Sequence, residues 1–302
     1  MRLRRCDRGR AWGGLAAAGL ALLALLVVSR AGISEPAPPA QPSAAAAPAA
    51  SAAPAAPAAT PTAADSSSAG GDSVSYAPVP WRVGEYFQFS VDWSGINAGS
   101  ALMQVQNYQW VDGHKVWRVV SKTESNSFVS KFYKVRDRIE TAIDAESLYT
   151  RRFEKHLREG GYKQDLVVRF DQENRQAVYE DGPPLGVPAR VQDVLSAFYY
   201  VRTVPLQDGA VLSVPAHDNR TSYDLEVKVL KREQVEVPAG KFNCVQVEPV
   251  LKSEGIFKSK GRILVWLTDD AKRIPVKVTS KVPIGSISVS LTDLRLAFEG
   301  KR

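Results

Sequence analysis

Cysteine, histidine and methionine are nearly missing from this chain, whose 302 residues include two, three and two of them. So few thiols exclude a disulfide framework. Cys6 precedes the chain's apolar run and Cys244 lies far beyond it, so export would separate the two or remove Cys6. Cys244 sits in the alternating stretch Phe242-Asn243-Cys244-Val245-Gln246-Val247, where a buried small side chain is expected rather than a nucleophile. His114, His156 and His217 form no H-x-x-x-H pair and have no cysteine beside them, so no metal or other cofactor is implied. The nucleophile-elbow pattern G-x-S-x-G is absent. Gly95-Ile96-Asn97-Ala98-Gly99 lacks the lysine and the following helix of a phosphate loop. The adjacent carboxylates Asp269-Asp270 lie in a turn and would diverge, which suits turn formation better than acid–base work. Lysine and arginine outnumber acids 39 to 32, partly through the N-terminal arginines, and the remaining excess is mild and spread along the chain, which argues against nucleic acid as a partner.

What is present first is an address. Arg2, Arg4, Arg5, Arg8 and Arg10 precede an uncharged apolar run from Ala11 to Ser29. From Glu35 to Ser75 the chain is almost entirely Ala, Pro, Ser and Thr. Basic flank, apolar run and polar spacer are the parts of an export signal or a single membrane anchor. The run, about 18 residues long, is short for a span and long for a signal core. Both readings stand, with a lean to the anchor because a spacer of about 40 residues can hold a domain away from a membrane. Residues 1–31 are thus read as signal or anchor, 32–75 as a disordered linker and 76–302 as the folded domain. That domain is expected in the periplasm, tethered to the inner membrane through residues 11–29 if they are not cleaved.

In the folded part the dominant period is two. Phe87, Phe89, Val91 and Trp93 point one way, with Gln88, Ser90 and Asp92 between them. Similar alternation recurs at short spacing to the C-terminus, broken by turn signals such as Asp112-Gly113 and Pro238-Ala239-Gly240. The fold class is therefore mainly β, a curved antiparallel sheet or incomplete β-barrel with one or two short helices. In the last strand the apolar parity changes between Ile287-Val289-Leu291 and Leu294-Leu296-Phe298, which predicts a β-bulge at Thr292-Asp293. Val191, Val194, Leu195, Phe198 and Val201 recur at helical spacing and predict a helix over roughly 189–203. A second short helix is open over 125–133.

Two groups are candidates for a site. His217-Asp218-Asn219-Arg220 places a histidine beside a carboxylate, an arrangement that suits proton transfer, ligand binding or a plain hydrogen-bonded turn. Trp93, Phe198, Tyr199 and Trp266 are aromatics that could line an apolar pocket or simply fill the core. His217, Asp218 and these four form the candidate ligand-binding set. No catalytic residue and no metal ligand is assigned.

Four ordered blocks carry a resemblance. They are Trp81-Arg82-Val83-Gly84-Glu85 with the turn Gly95 to Gly99; Gln192 to Arg202; Val237-Pro238-Ala239-Gly240-Lys241-Phe242-Asn243-Cys244; and Gly261-Arg262 through Val265-Trp266-Leu267-Thr268-Asp269-Asp270 to Arg273-Ile274-Pro275-Val276. Together they resemble the exported bacterial family called domain of unknown function 3108, over nearly all of residues 78–299. The resemblance implies an envelope protein with an antiparallel β fold and a short helix, and it carries over no catalytic residue. A looser, fold-level similarity is to the periplasmic lipoprotein-localisation carriers, which close a lipid cavity with helices.

Three functions follow in order. The first is a non-enzymatic envelope domain binding a lipid or lipidated component in a sizeable apolar cavity under the helix. The second is an interaction or scaffold module for an envelope protein, which needs an exposed apolar patch or open strand edge instead. The third, an envelope hydrolase, needs His217 or His114 to meet an acidic or hydroxyl partner in a cleft. Trp93→Ala is expected to cost about 3–5 kcal/mol in a thermal melt if the ring is core. A smaller loss accompanied by loss of bound ligand would place the ring on a cavity wall.

Overall fold

The computed structural model describes residues 78–251, 262–282 and 285–296. The leader, the linker and Phe298 lie outside the described residues.

Alternation produces strands throughout. The chain runs as β1 (Tyr86–Trp93), β2 (Ile96–Val111), β3 (His114–Ser125), β4 (Arg136–Asp144), β5 (Thr150–Glu159), β6 (Tyr162–Asp171), β7 (Gln176–Tyr179) and β8 (Leu185–Gly186). Helix α1 (Val194–Val201) follows. Then come β9 (Val211–Asp218), β10 (Thr221–Val237), β11 (Gly240–Leu251), β12 (Ile263–Thr268), β13 (Pro275–Val282) and β14 (Gly285–Arg295). All 14 strands form one sheet in the order β8-β7-β6-β5-β4-β3-β2-β1-β14-β13-β12-β11-β10-β9. Two meanders thus meet in the middle, where β1 pairs antiparallel with β14. The predicted bulge is there. Gln88 faces Asp293 and Phe89 faces Leu291, so Thr292 is the extra residue, and its hydroxyl donates to the Gln88 carbonyl at 3.0 Å.

The sheet curls but its ladder does not close. Its outer strands still meet through side chains. Tyr179 of β7 reaches His217 of β9, and Lys155 of β5 reaches Asp218 at the end of β9. Backbone covers part of the remaining edge. Gln192 bridges in parallel to Ala216, its N–H donating to Pro215 and its carbonyl accepting from His217. An open edge is a template for unwanted pairing, and this segment blunts it.

That bridge also explains why α1 is shorter than its periodicity predicts. Gln192 is committed to the strand edge, so the helix starts after Asp193, whose carboxylate caps Leu195 N–H and Ser196 N–H. The 125–133 segment holds one 3-10 turn, Val129–Lys131. Phe87, Phe89 and Val91 are buried on the inner face, as their parity requires, while Trp93 at the strand end is only half-buried against the core. The Trp93→Ala loss should therefore fall toward or below the lower end of the core range.

One ion pair ties these parts together. Arg202, just after α1, grips Glu85, just before β1, in a bidentate pair at 2.8 and 2.9 Å. Its guanidinium also donates to the Lys272 carbonyl in the β12–β13 turn at 3.1 Å. Trp81, Phe87 and Tyr199 surround it, with ring centroids 5.5, 5.6 and 5.0 Å away. Burial disfavours the Arg202 charge, but Glu85 outweighs it and holds the pKa above the ordinary value. A charge stranded there would be costly. Arg202→Met alone is expected to lower unfolding free energy by about 3–5 kcal/mol in urea melts, with Arg202→Met/Glu85→Leu recovering most of that loss. Additive losses would show that the pair is not coupled.

Candidate functional site

The described molecule has two opposite ends. One carries the β1–β2, β5–β6 and β9–β10 turns and the 126–135 loop; the other carries α1 and the 145–149 and 269–274 turns. The sequence candidates divide among these regions.

His217 and Asp218 lie at the seam, where β9 faces β5 and β7. The His217 ring is buried against the edges of Phe170 and Tyr179. Its Nε2 lies 2.7 Å from the Tyr179 hydroxyl and its Nδ1 lies 2.8 Å from Ser222 Oγ. Burial pulls its pKa down to about 4, against the pull of the Asp218 charge, so the ring is neutral at pH 7. The Tyr179 oxygen already accepts from Arg220 N–H at 2.9 Å. Its own proton, in a buried hydroxyl, has His217 Nε2 as its partner. The ring hydrogen is then on Nδ1 and donates to Ser222. In that tautomer His217 donates to the serine, an arrangement that suits a structural pair rather than a nucleophile and its base.

Asp218 accepts from Lys155 Nζ at 2.8 Å, and both side chains are 1% exposed. The Asn219 side-chain oxygen takes a second Lys155 hydrogen bond at 3.1 Å. The turn thus ends in a buried ion pair that pins β9 to β5. Lys155 gave no signal in the sequence, because its partner lies 63 residues away. The nearest clue was its parity with Phe153 and Leu157 on an otherwise polar strand.

The aromatics do not assemble. Phe198 lines an apolar hollow with Ala197 and Val201 of α1, Leu225 and Val227 of β10, and Val265 and Leu267 of β12. Tyr199 is fully buried on the other side of α1, edge-on to Trp81 at 5.0 Å. Trp266 has the opposite parity to Val265 and Leu267. It lies on the opposite face of the sheet, still buried, its indole N–H donating to Glu233 at 2.8 Å. Trp93 is at the far rim. Val227 and Val265 of the hollow were legible as inward residues but not as neighbours of the helix.

Size decides what the hollow can hold. Its cavity volume is about 20 Å³, room for one water-sized body and not for an acyl chain. The hollow beneath the helix is small, because Phe198 and the aliphatic side chains occupy much of the space.

The other histidines are surface groups. His114 Nδ1 lies 3.3 Å from Asp144, whose same oxygen accepts from Arg151 at 2.9 Å. Burial pushes the Asp144 pKa up, but turn N–H groups and Arg151 pull it below the ordinary value. His156 contacts Asp165 at 2.7 Å, and Asp165 is also held by Arg158. Both histidines thus have acidic partners, but neither lines the hollow at α1. Cys244 is buried, and burial raises its pKa to about 12. Among the described residues no group of three or more His, Cys, Asp or Glu is placed to hold a metal.

One feature escaped the sequence reading. Ile96, Phe128 and Phe132 are 64%, 62% and 69% exposed, all at the rim opposite α1. Phe128 and Phe132 flank the 3-10 turn and pack edge to face at 5.7 Å. Their spacing of four around Lys131 was the available signal. Leaving each ring in water forgoes roughly 1.5–3 kcal/mol of burial.

This architecture defines a class, the β domains that curl one antiparallel sheet around a short helix. The family described as "Protein of unknown function (DUF3108)" matches residues 88–292, and the chain belongs to it. No curated protein matches the sequence. Among solved structures it is similar to a β-barrel-like protein of domain of unknown function DUF1849 from Brucella abortus. The two are 12% identical with a TM-score of 0.50, over 72% of this chain and all of that one. A protein provisionally described as a lipoprotein, from Parabacteroides distasonis, is 13% identical with a TM-score of 0.34, over 72% of this chain and 97% of that one. The Brucella likeness supports the fold and nothing finer. Among the described residues no helix is long and apolar enough to cross a membrane.

His217 provides a test of the seam. Its pKa falls from 6.5 unfolded to about 4 folded, so the unfolded chain binds the extra proton between those values. The stability this contributes is complete above pH 6.5 and is lost as pH falls toward 4. The melting temperature is expected to drop over that window, and His217→Gln should flatten the drop. An identical profile in the variant would show that the histidine is not buried neutral.

Proposed function

We propose that this chain is a non-enzymatic domain of the bacterial cell envelope that works through its surface, as an interaction module, rather than by carrying a whole lipid inside. The observation that carries this reading is the exposed apolar cluster of Ile96, Phe128 and Phe132 on one rim. Large apolar side chains gathered in solvent mark binding surfaces. The small hollow under α1 supports the same choice, since about 20 Å³ admits at most the end of an apolar chain. The tautomer of His217 supports a structural role for the best polar cluster. The basic and apolar leader supports a place beyond the inner membrane, in the periplasm. The Ala/Pro-rich linker would let the domain reach its target while tethered.

Native mass spectrometry of the full chain in mild detergent tests this. The expected spectrum holds the protein mass with no stoichiometric lipid. A lipid that stays bound, and is lost on filling the hollow with Ala197→Leu, would overturn the surface reading in favour of an internal carrier.

A further inference from the structure

The exposed cluster belongs to a rigid, basic loop tip, and its chemistry names a partner. The 126–135 loop is held in place from several directions. Asn126 N–H donates to the Ala98 carbonyl at 2.9 Å, and its side-chain amide donates to the Asn97 carbonyl at 2.7 Å. The Asn126 side-chain oxygen accepts from Val129 N–H at 2.9 Å, starting the 3-10 turn. Ser125 Oγ contacts Ser130 Oγ at 2.7 Å and accepts from Val135 N–H at 2.9 Å. Gly99 permits the close packing below, since a Cβ there would sit 2.1 Å from the Glu124 carbonyl oxygen. The loop is therefore ordered by its own bonds, and still leaves Phe128 and Phe132 exposed, on the same rim as Ile96.

Cations frame these rings. Lys131, Lys134 and Arg136 are exposed, and none forms an ion pair with another described residue. In the ladder Glu124 faces Arg136 and the buried Glu159 faces Val135, while Lys131 and Lys134 stand in the loop outside those pairings. Aromatic side chains ringed by lysines fit the boundary of an anionic bilayer, where rings enter the acyl edge and ammonium groups meet phosphates. A protein partner fits less well, because a stable protein interface takes roughly 20–30 residues a side and this tip offers a few apolar ones. We propose, building on the surface-contact reading, that the 126–136 loop and Ile96 form a membrane-docking tip that seats the domain on a lipid surface rich in anionic headgroups.

The test uses the full chain, with Cys6→Ser and buried Cys244 left in place, on vesicles of phosphatidylglycerol in phosphatidylcholine. An environment-sensitive NBD label is attached through Ser127→Cys at the tip, or through Glu146→Cys at the opposite end. Lipids bearing a doxyl quencher are expected to quench the tip label about threefold more than the label at 146. Phe128→Ser/Phe132→Ser should remove the difference while leaving the thermal melt unchanged, since both rings are exposed. Lys131→Gln/Lys134→Gln should reduce it, as should replacing phosphatidylglycerol with phosphatidylcholine. Equal quenching at 127 and 146, or tip quenching that survives Phe128→Ser/Phe132→Ser, would overturn the docking tip. If that happens while the native mass stays lipid-free, the surface-contact function stands and its partner is a protein.

Discussion

The fold depends on one buried contact, the Arg202–Glu85 pair. A sheet built of two meanders has its first and last strands in the middle and its outer strands free, so something must set the curl. Arg202 does this from the end of α1, joining the entry to β1 and the β12–β13 turn through one guanidinium. Three aromatic rings exclude water from it, which strengthens the pairing and makes any missing partner costly. With α1 fixed at one end, Gln192 is placed on the edge of β9 and Asp193 on the helix N-terminus. Asp193 also accepts from the Thr150 hydroxyl at 2.8 Å, which carries the constraint on to β5.

The polar groups that looked most like a site are better understood as closures of the seam. Tyr179–His217 and Lys155–Asp218 each join a strand from one meander to a strand from the other. Their burial makes them specific, because a mis-registered seam would leave a charge or a hydroxyl without a partner. The same burial holds His217 neutral. Binding potential is left to the ends of the molecule, where Phe128 and Phe132 are exposed at the rim opposite α1 and Trp110 at the other.

Local order was legible where local physics sets it. The parity of Phe87, Phe89 and Val91 marked the inner face, and the parity change before Leu294 located the bulge at Thr292. The helix was legible in kind and too long in extent, because a strand-edge bridge at Gln192 is a long-range fact that periodicity does not contain. Family membership was legible from ordered blocks. The candidate site was much less so. Phe198 reaches the hollow, but Trp266 belongs to the opposite face, as its parity against Val265 and Leu267 implied. Tyr179 and Lys155 were invisible as partners, since only the curl of the sheet brings them to β9. Phe128 and Phe132 carried no signal of their exposure in one dimension, and only the loop beneath them shows that they stay outside.

Central to the account is that the molecule makes contact through its rim and not through its interior. Hydrogen exchange of the full chain with and without anionic vesicles addresses this directly. Slowed exchange confined to the 126–136 loop and the β1–β2 turn, with α1 and β10–β12 unchanged, is the result expected. Slowed exchange in α1 and β10–β12, with the loop unchanged, would contradict it and place the binding surface around the hollow.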